Sequence, residues 1–187
     1  MAFTETTQDP TDEKLVTLSG QIGRLLGKFP RQDPIESAGL AESFVIWEIG
    51  PEQLASRPPT LPTRPTPDRH YQIILNGKPA GFVVARQTES SWEIRQLAIS
   101  ALAEAIDQVI KRIDSSHQEN TPVRFLVAPL CYVYAFELVH NDVVYVISAP
   151  PSSELPEKKR LNPGMILSTS EFLDRLKWLF ETTVSDQ

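Results

Sequence analysis

Residues 71–86 read Tyr-Gln-Ile-Ile-Leu-Asn-Gly-Lys-Pro-Ala-Gly-Phe-Val-Val-Ala-Arg. Asn76-Gly77 stands between two runs rich in β-branched and aromatic residues. Both positions of a two-residue type I′ turn need positive φ, which this dipeptide tolerates best. An antiparallel hairpin follows, with Leu75 opposite Lys78 and Ile73 opposite Ala80. Pro79 brings no N–H to the ladder, so residues 78–86 are expected to keep a free edge near that end.

Working toward the N-terminus, residues 44–49 (Phe-Val-Ile-Trp-Glu-Ile) carry the composition of a second strand. Between it and the hairpin lies a proline-rich segment, 51–69. Proline fixes φ and removes donors, so this connector is expected to be extended and unpaired. Leu15, Leu18, Ile22 and Leu25 step by three and four and predict a helix over Asp12–Leu26. Gly20 and Gly23 weaken it by about 1 kcal/mol each relative to Ala. Residues 1–11 are polar and Thr-rich and read as a disordered tail.

Toward the C-terminus, Ile99, Leu102, Ile106, Val109 and Ile113 line one helical face. Ser90 and Glu93 have capping-box spacing, which favours one long helix over 90–115. The alternative makes 92–99 a third strand and starts the helix near Ser100. Val123–Val127 reads as a strand ended by Pro129. Cys131–Val139 and Val143–Ala149 form a second hairpin around Asn141-Asp142, with His140 opposite Val143. Tyr132, Tyr134, Phe136 and Leu138 then alternate onto one face. A loop spans 150–164. Phe172, Leu173, Leu176, Leu179 and Phe180 give a last helix its apolar side, with Ser168 and Glu171 as its capping box.

These elements specify an α+β fold: a mainly antiparallel sheet built from two β-hairpins, packed by a long central helix plus N- and C-terminal helices. The chain reads as one domain over 12–187 with an internal connector. The element order is similar to that of roadblock-like, profilin-like and secretion-chaperone-like folds. With 92–99 as a strand, the strand-strand-helix-strand order over 80–127 resembles the centre of the GNAT acyltransferases. That family cradles coenzyme A pyrophosphate on a Gly-rich turn before the helix. Here the turn is Ser100-Ala-Leu-Ala-Glu-Ala105, without a glycine.

Composition narrows the function. Lys and Arg number 18 and Asp and Glu 24, a formal net charge of −6 over 187 residues. An acidic chain lacks the positive field that nucleic acid or an anionic membrane requires. No apolar run approaches the roughly 18 residues of a membrane span. A single cysteine, Cys131, excludes an intramolecular disulfide and a multi-cysteine zinc site. The N-terminus lacks the blocks of a signal peptide, which makes the cytoplasm the expected compartment.

No catalytic, cofactor or metal constellation emerges. Gly23 to Lys28 is one residue short of a phosphate loop and has Phe29 where a hydroxyl would bind magnesium. Gly20-Gln-Ile-Gly23 carries the letters of a KH loop without its flanks. Both glycines read better as places where another backbone approaches the helix. Cys131 reads as a small buried hydrophobe. His70, His117 and His140 are scattered at no ligand spacing and are expected at the surface. Glu48, Glu93 and Glu137 are expected on solvated strand faces.

The remaining signals point to recognition of another protein or self-association. Strand aromatics are numerous, and an exposed subset could serve a partner. Pro59-x-x-Pro62 with Arg57 and Arg64 could dock as a polyproline arm. The expectation is a non-catalytic interaction, assembly or adaptor module contacted through Tyr132, Tyr134, Arg57, Pro59, Pro62 and Arg64. A small-molecule sensory domain and a degenerate acyltransferase-like enzyme are the alternatives.

Overall fold

The structure is a computed structural model, and residues 12–26, 37–89, 91–116, 122–151 and 156–185 are described. Their α+β fold is mainly antiparallel. Eight strands and four helices follow in the order α1 (Asp12–Leu26), β1 (Ala38–Glu48), α2 (Pro51–Ala55), β2 (Asp68–Leu75), β3 (Lys78–Gln87), β4 (Trp92–Ile99), α3 (Leu102–Ser116), β5 (Val123–Ala128), β6 (Val133–Leu138), β7 (Val143–Ser148), β8 (Ile166–Leu167) and α4 (Thr169–Ser185). The backbone gathers into two compact units. One takes residues 5–45 and 67–107, the other 46–66 and 108–187. The tail at 1–11 lies outside the described residues.

In the first unit the strands lie in the order β4-β3-β2-β1. Asn76 (φ 51°) and Gly77 (φ 76°) make the expected turn, and Leu75 faces Lys78. Beyond that pair the register slips. Ile74 faces Pro79 and Ile73 faces Gly81, so Ala80 is the extra residue of a bulge rather than the partner of Ile73. The edge expected on β3 is largely taken. β4 pairs with Gly81–Gln87, and the Ser100 N–H donates to the Ala80 carbonyl at 3.0 Å.

Residues 92–99 are therefore strand, not helix, and α3 begins at Leu102. The turn between β3 and β4 is closed by Thr88 and Ser91, whose backbone and hydroxyls bond one another at 2.8–3.0 Å. The Ser100 hydroxyl accepts from the Leu102 N–H and supplies the N-cap. Glu93 sits in the strand, bound to Arg95 at 2.9 Å, and caps nothing. α1 lays Leu18, Ile22 and Leu26 on Tyr71, Ile73, Val83, Ala85 and Trp92. The opposite face carries Phe44, His70, Phe82 and Gln72, whose amide reaches the Ala103 carbonyl at 3.3 Å.

In the second unit the order is β1-β5-β6-β7-β8. β1 is longer than expected: residues 38–45 pair with β2 and 46–48 pair in parallel with β5. The core joins α2, β5–β8 and α4 around Leu54, Leu126, Ala135, Val146, Phe172 and Leu176. α4 begins as expected, with the Ser168 hydroxyl accepting from the Glu171 N–H at 3.2 Å. The proline-rich segment is not uniformly extended. Pro51 takes the first position of α2, where its missing N–H costs nothing.

The β6–β7 connection also differs. Leu138, not His140, faces Val143, leaving a four-residue loop that ends on Asp142 in the left-handed region (φ 51°). A two-residue turn would have carried β6 two residues further, to His140, with β7 still starting at Val143.

Candidate functional site

The feature that departs furthest from ordinary packing is the link between β5 and β6. β5 stops at Ala128 because Pro129 has no N–H to continue the ladder. Pro129–Cys131 make one 3-10 turn, closed by the Tyr132 N–H on the Pro129 carbonyl at 3.2 Å. Cys131 points inward, 2% exposed, into the core of α2 and α4. Its two neighbours are thrown outward: Leu130 is 52% exposed and Tyr132 72%. Tyr132 also stands at φ 53°, where an L side chain of this size is a true outlier.

Tyr132 thus lies outside β6 and does not share a strand face with Tyr134. Tyr134 is half-buried, its ring stacked on Phe125 at 6.2 Å, and burial pushes its hydroxyl pKa upward. The Cys131 thiol is pushed up to about 11 by the same cause, so it stays protonated and unreactive at neutral pH.

The proline-rich arm is folded onto its own unit. The Thr60 N–H donates to the Gln53 carbonyl at 3.1 Å and the Thr66 N–H to Ile46 at 2.8 Å. Arg57 and Arg64 are exposed, Pro59 is half-buried, and Pro62 is buried beside Leu61, which packs on the core. A groove that reads Pro59-x-x-Pro62 would need to grip a proline that faces inward.

Two polar side chains expected at the surface are buried. His70 is 1% exposed, stacked on Phe82 at 5.0 Å, and desolvation lowers its pKa to about 3. Glu137 is 5% exposed. Its Oε2 lies 3.3 Å from a guanidinium nitrogen of Arg124, whose central carbon sits 4.4 Å over the Trp47 ring. Burial raises the Glu137 pKa, Arg124 opposes that, and Asp142 adds to it. Arg124 and Glu137 are direct cross-strand partners. Their charge pairing becomes legible once the β5–β6 register is known. His140, Glu48 and Glu93 are exposed as expected, and His117 lies outside the described residues.

Among the described residues no group of three His, Cys, Asp or Glu side chains could hold a metal ion, and no helix is long and apolar enough to cross a membrane. Gly20 and Gly23 lie in α1, and a Cβ added at either would meet nothing within 4 Å. No backbone among the described residues therefore approaches them. Beside Gly23 is a cleft of about 20 Å³, lined also by Ile22, Leu26, Ala38, Gly39, Leu40 and Ile73. That is room for about one water, far below the several hundred Å³ of a typical small-molecule site.

The strand-strand-helix-strand order of the acyltransferase resemblance is present. However, β5 lies between β1, in parallel, and β6, while β4 pairs with β3. Compared with known protein families, curated proteins and solved structures, the chain matches none, and its own side chains carry the functional reading.

Proposed function

We propose that the chain is a non-catalytic interaction module that holds another protein, or a second copy of itself, through the Leu130–Tyr132 tip. The observation that supports this is Tyr132, kept at 72% exposure in a left-handed backbone conformation beside the exposed Leu130. A tyrosine gains little for the fold from such a setting. Exposure forfeits burial, and the conformation costs roughly 1–2 kcal/mol. Strain of this kind is retained where a side chain is used. A tyrosine offers a partner a large rigid apolar body and a hydroxyl, at the loss of two rotatable bonds.

The test is affinity purification of the tagged chain from its native host, with the complex mass measured under native conditions. Wild type is expected to retain a stoichiometric partner that Leu130→Ala and Tyr132→Ala each reduce by at least tenfold. Unchanged recovery with both variants folded would overturn the assignment.

A further inference from the structure

We propose that Trp47, Arg124 and Glu137 form a proton-operated latch, in which the carboxylate holds the guanidinium over the indole and a proton on the carboxylate lets it go. The geometry supplies both the hold and its weakness. Among the described residues Arg124 is fixed on two sides, by one nitrogen–oxygen contact at 3.3 Å and by the ring 4.4 Å from its central carbon. A bidentate pair would engage both carboxylate oxygens at about 2.8 Å and resist release. The Arg124 side chain is 29% exposed and has an open route to water, whereas the Glu137 side chain, 7% exposed, meets water only at its margin.

The environment of Glu137 makes its charge conditional. β5 presents Arg124 to it, and β7 presents Val144, which is apolar. The loop after β6 adds the negative Asp142, and the core beside it is built from Leu126, Ala135, Val146 and Leu167. Desolvation and Asp142 both favour the neutral acid, and Arg124 alone opposes them. Once neutral, the acid no longer attracts the guanidinium. A cation–π contact alone at a part-exposed site is then too weak to outweigh hydration and the side-chain entropy of a free arginine. Trp47 loses its cover and changes environment. The buried His70 belongs to the other unit and stays neutral down to a pH of about 3.

Indole N–H resonances of ¹⁵N-tryptophan-labelled full chain report the event, with Trp47→Phe assigning the peak. Between pH 8 and pH 4 the Trp47 peak is expected to follow a single titration with a midpoint above the ordinary glutamate value of about 4.3. Trp92 and Trp178 should stay still, and far-UV circular dichroism should be constant. In Glu137→Gln the Trp47 peak should be flat from pH 8 to pH 4. A stationary Trp47 peak in wild type overturns the latch, as does an unchanged titration in Glu137→Gln. So does a transition in which all three indoles move together, which is unfolding rather than release.

Discussion

At the residue scale, His70 and Gly81 show how the interior constrains single side chains. His70 is held neutral between Phe44 and Phe82, its pKa lowered to about 3 from the ordinary 6.5. As pH falls through 6.5 the unfolded chain takes up a proton that the folded chain refuses. The stability from this group is therefore complete above 6.5 and is lost between 6.5 and about 3, at up to about 1.4 kcal/mol per pH unit. Urea unfolding at pH 7.5 and pH 5.0 should differ by about 2 kcal/mol on this account, and His70→Leu should remove that difference. Gly81 has a steric role: a Cβ there would collide with the Ala98 carbonyl on β4. Both strands are backbone-fixed at that point, so Gly81→Ala should cost about 1–3 kcal/mol by the same unfolding measurement.

At the element scale, the start of α4 is tied to the β6–β7 loop. The Asp142 carboxylate accepts from the Thr169 N–H at 3.1 Å, adding a negative charge to the helix N-terminus beside the Ser168 cap. Asp142 has φ 51°, so glycine can replace it without backbone strain and isolates the side chain's part. Asp142→Gly should lower stability by about 1 kcal/mol, and Asp142→Asn should recover most of it, read from urea midpoints. This loop also marks where sequence reading stops. The Asn76-Gly77 turn was legible because its dipeptide has almost one solution, and α1 and α4 because their apolar steps repeat. The β6–β7 register was not, because Val139-His140-Asn141-Asp142 suits two loop lengths. β4 was misread because a bulge at Arg95 breaks its alternation: Val84 faces Gln96 and Ala85 faces Ile94. Trp92, Ile94, Leu97 and Ile99 then step by two, three and two, and Ser90 with Glu93 has the spacing of a capping box. The exposed tip was half legible. Tyr132 could be picked as an aromatic beyond the core's needs, but its departure from the strand depends on Cys131 being drawn into the α4 core, which no local pattern announces.

At the scale of the whole molecule, the proposed function sets stability and recognition against each other at Tyr132. Among the described residues Tyr132 is the most exposed large apolar side chain, at 72%, and it stands at positive φ. Replacing it with glycine separates the two demands. Tyr132→Gly gives up little buried area and relieves roughly 1–2 kcal/mol of left-handed strain. Against that stands about 0.5–1 kcal/mol of added freedom in the unfolded chain. The net expectation is a protein more stable by about 0.5–1 kcal/mol, seen as a higher urea midpoint with an unchanged slope. The same protein should lose its partner. Tyr132→Phe should keep the partner to the extent that the aromatic body dominates the contact, and any loss it shows measures the hydroxyl. A stabilised Tyr132→Gly that still retains its partner at wild-type level would mean that the strain serves something other than recognition at the tip. A Tyr132→Gly that is destabilised would mean that the side chain supports the β5–β6 link itself, and the exposed ring would then be structural.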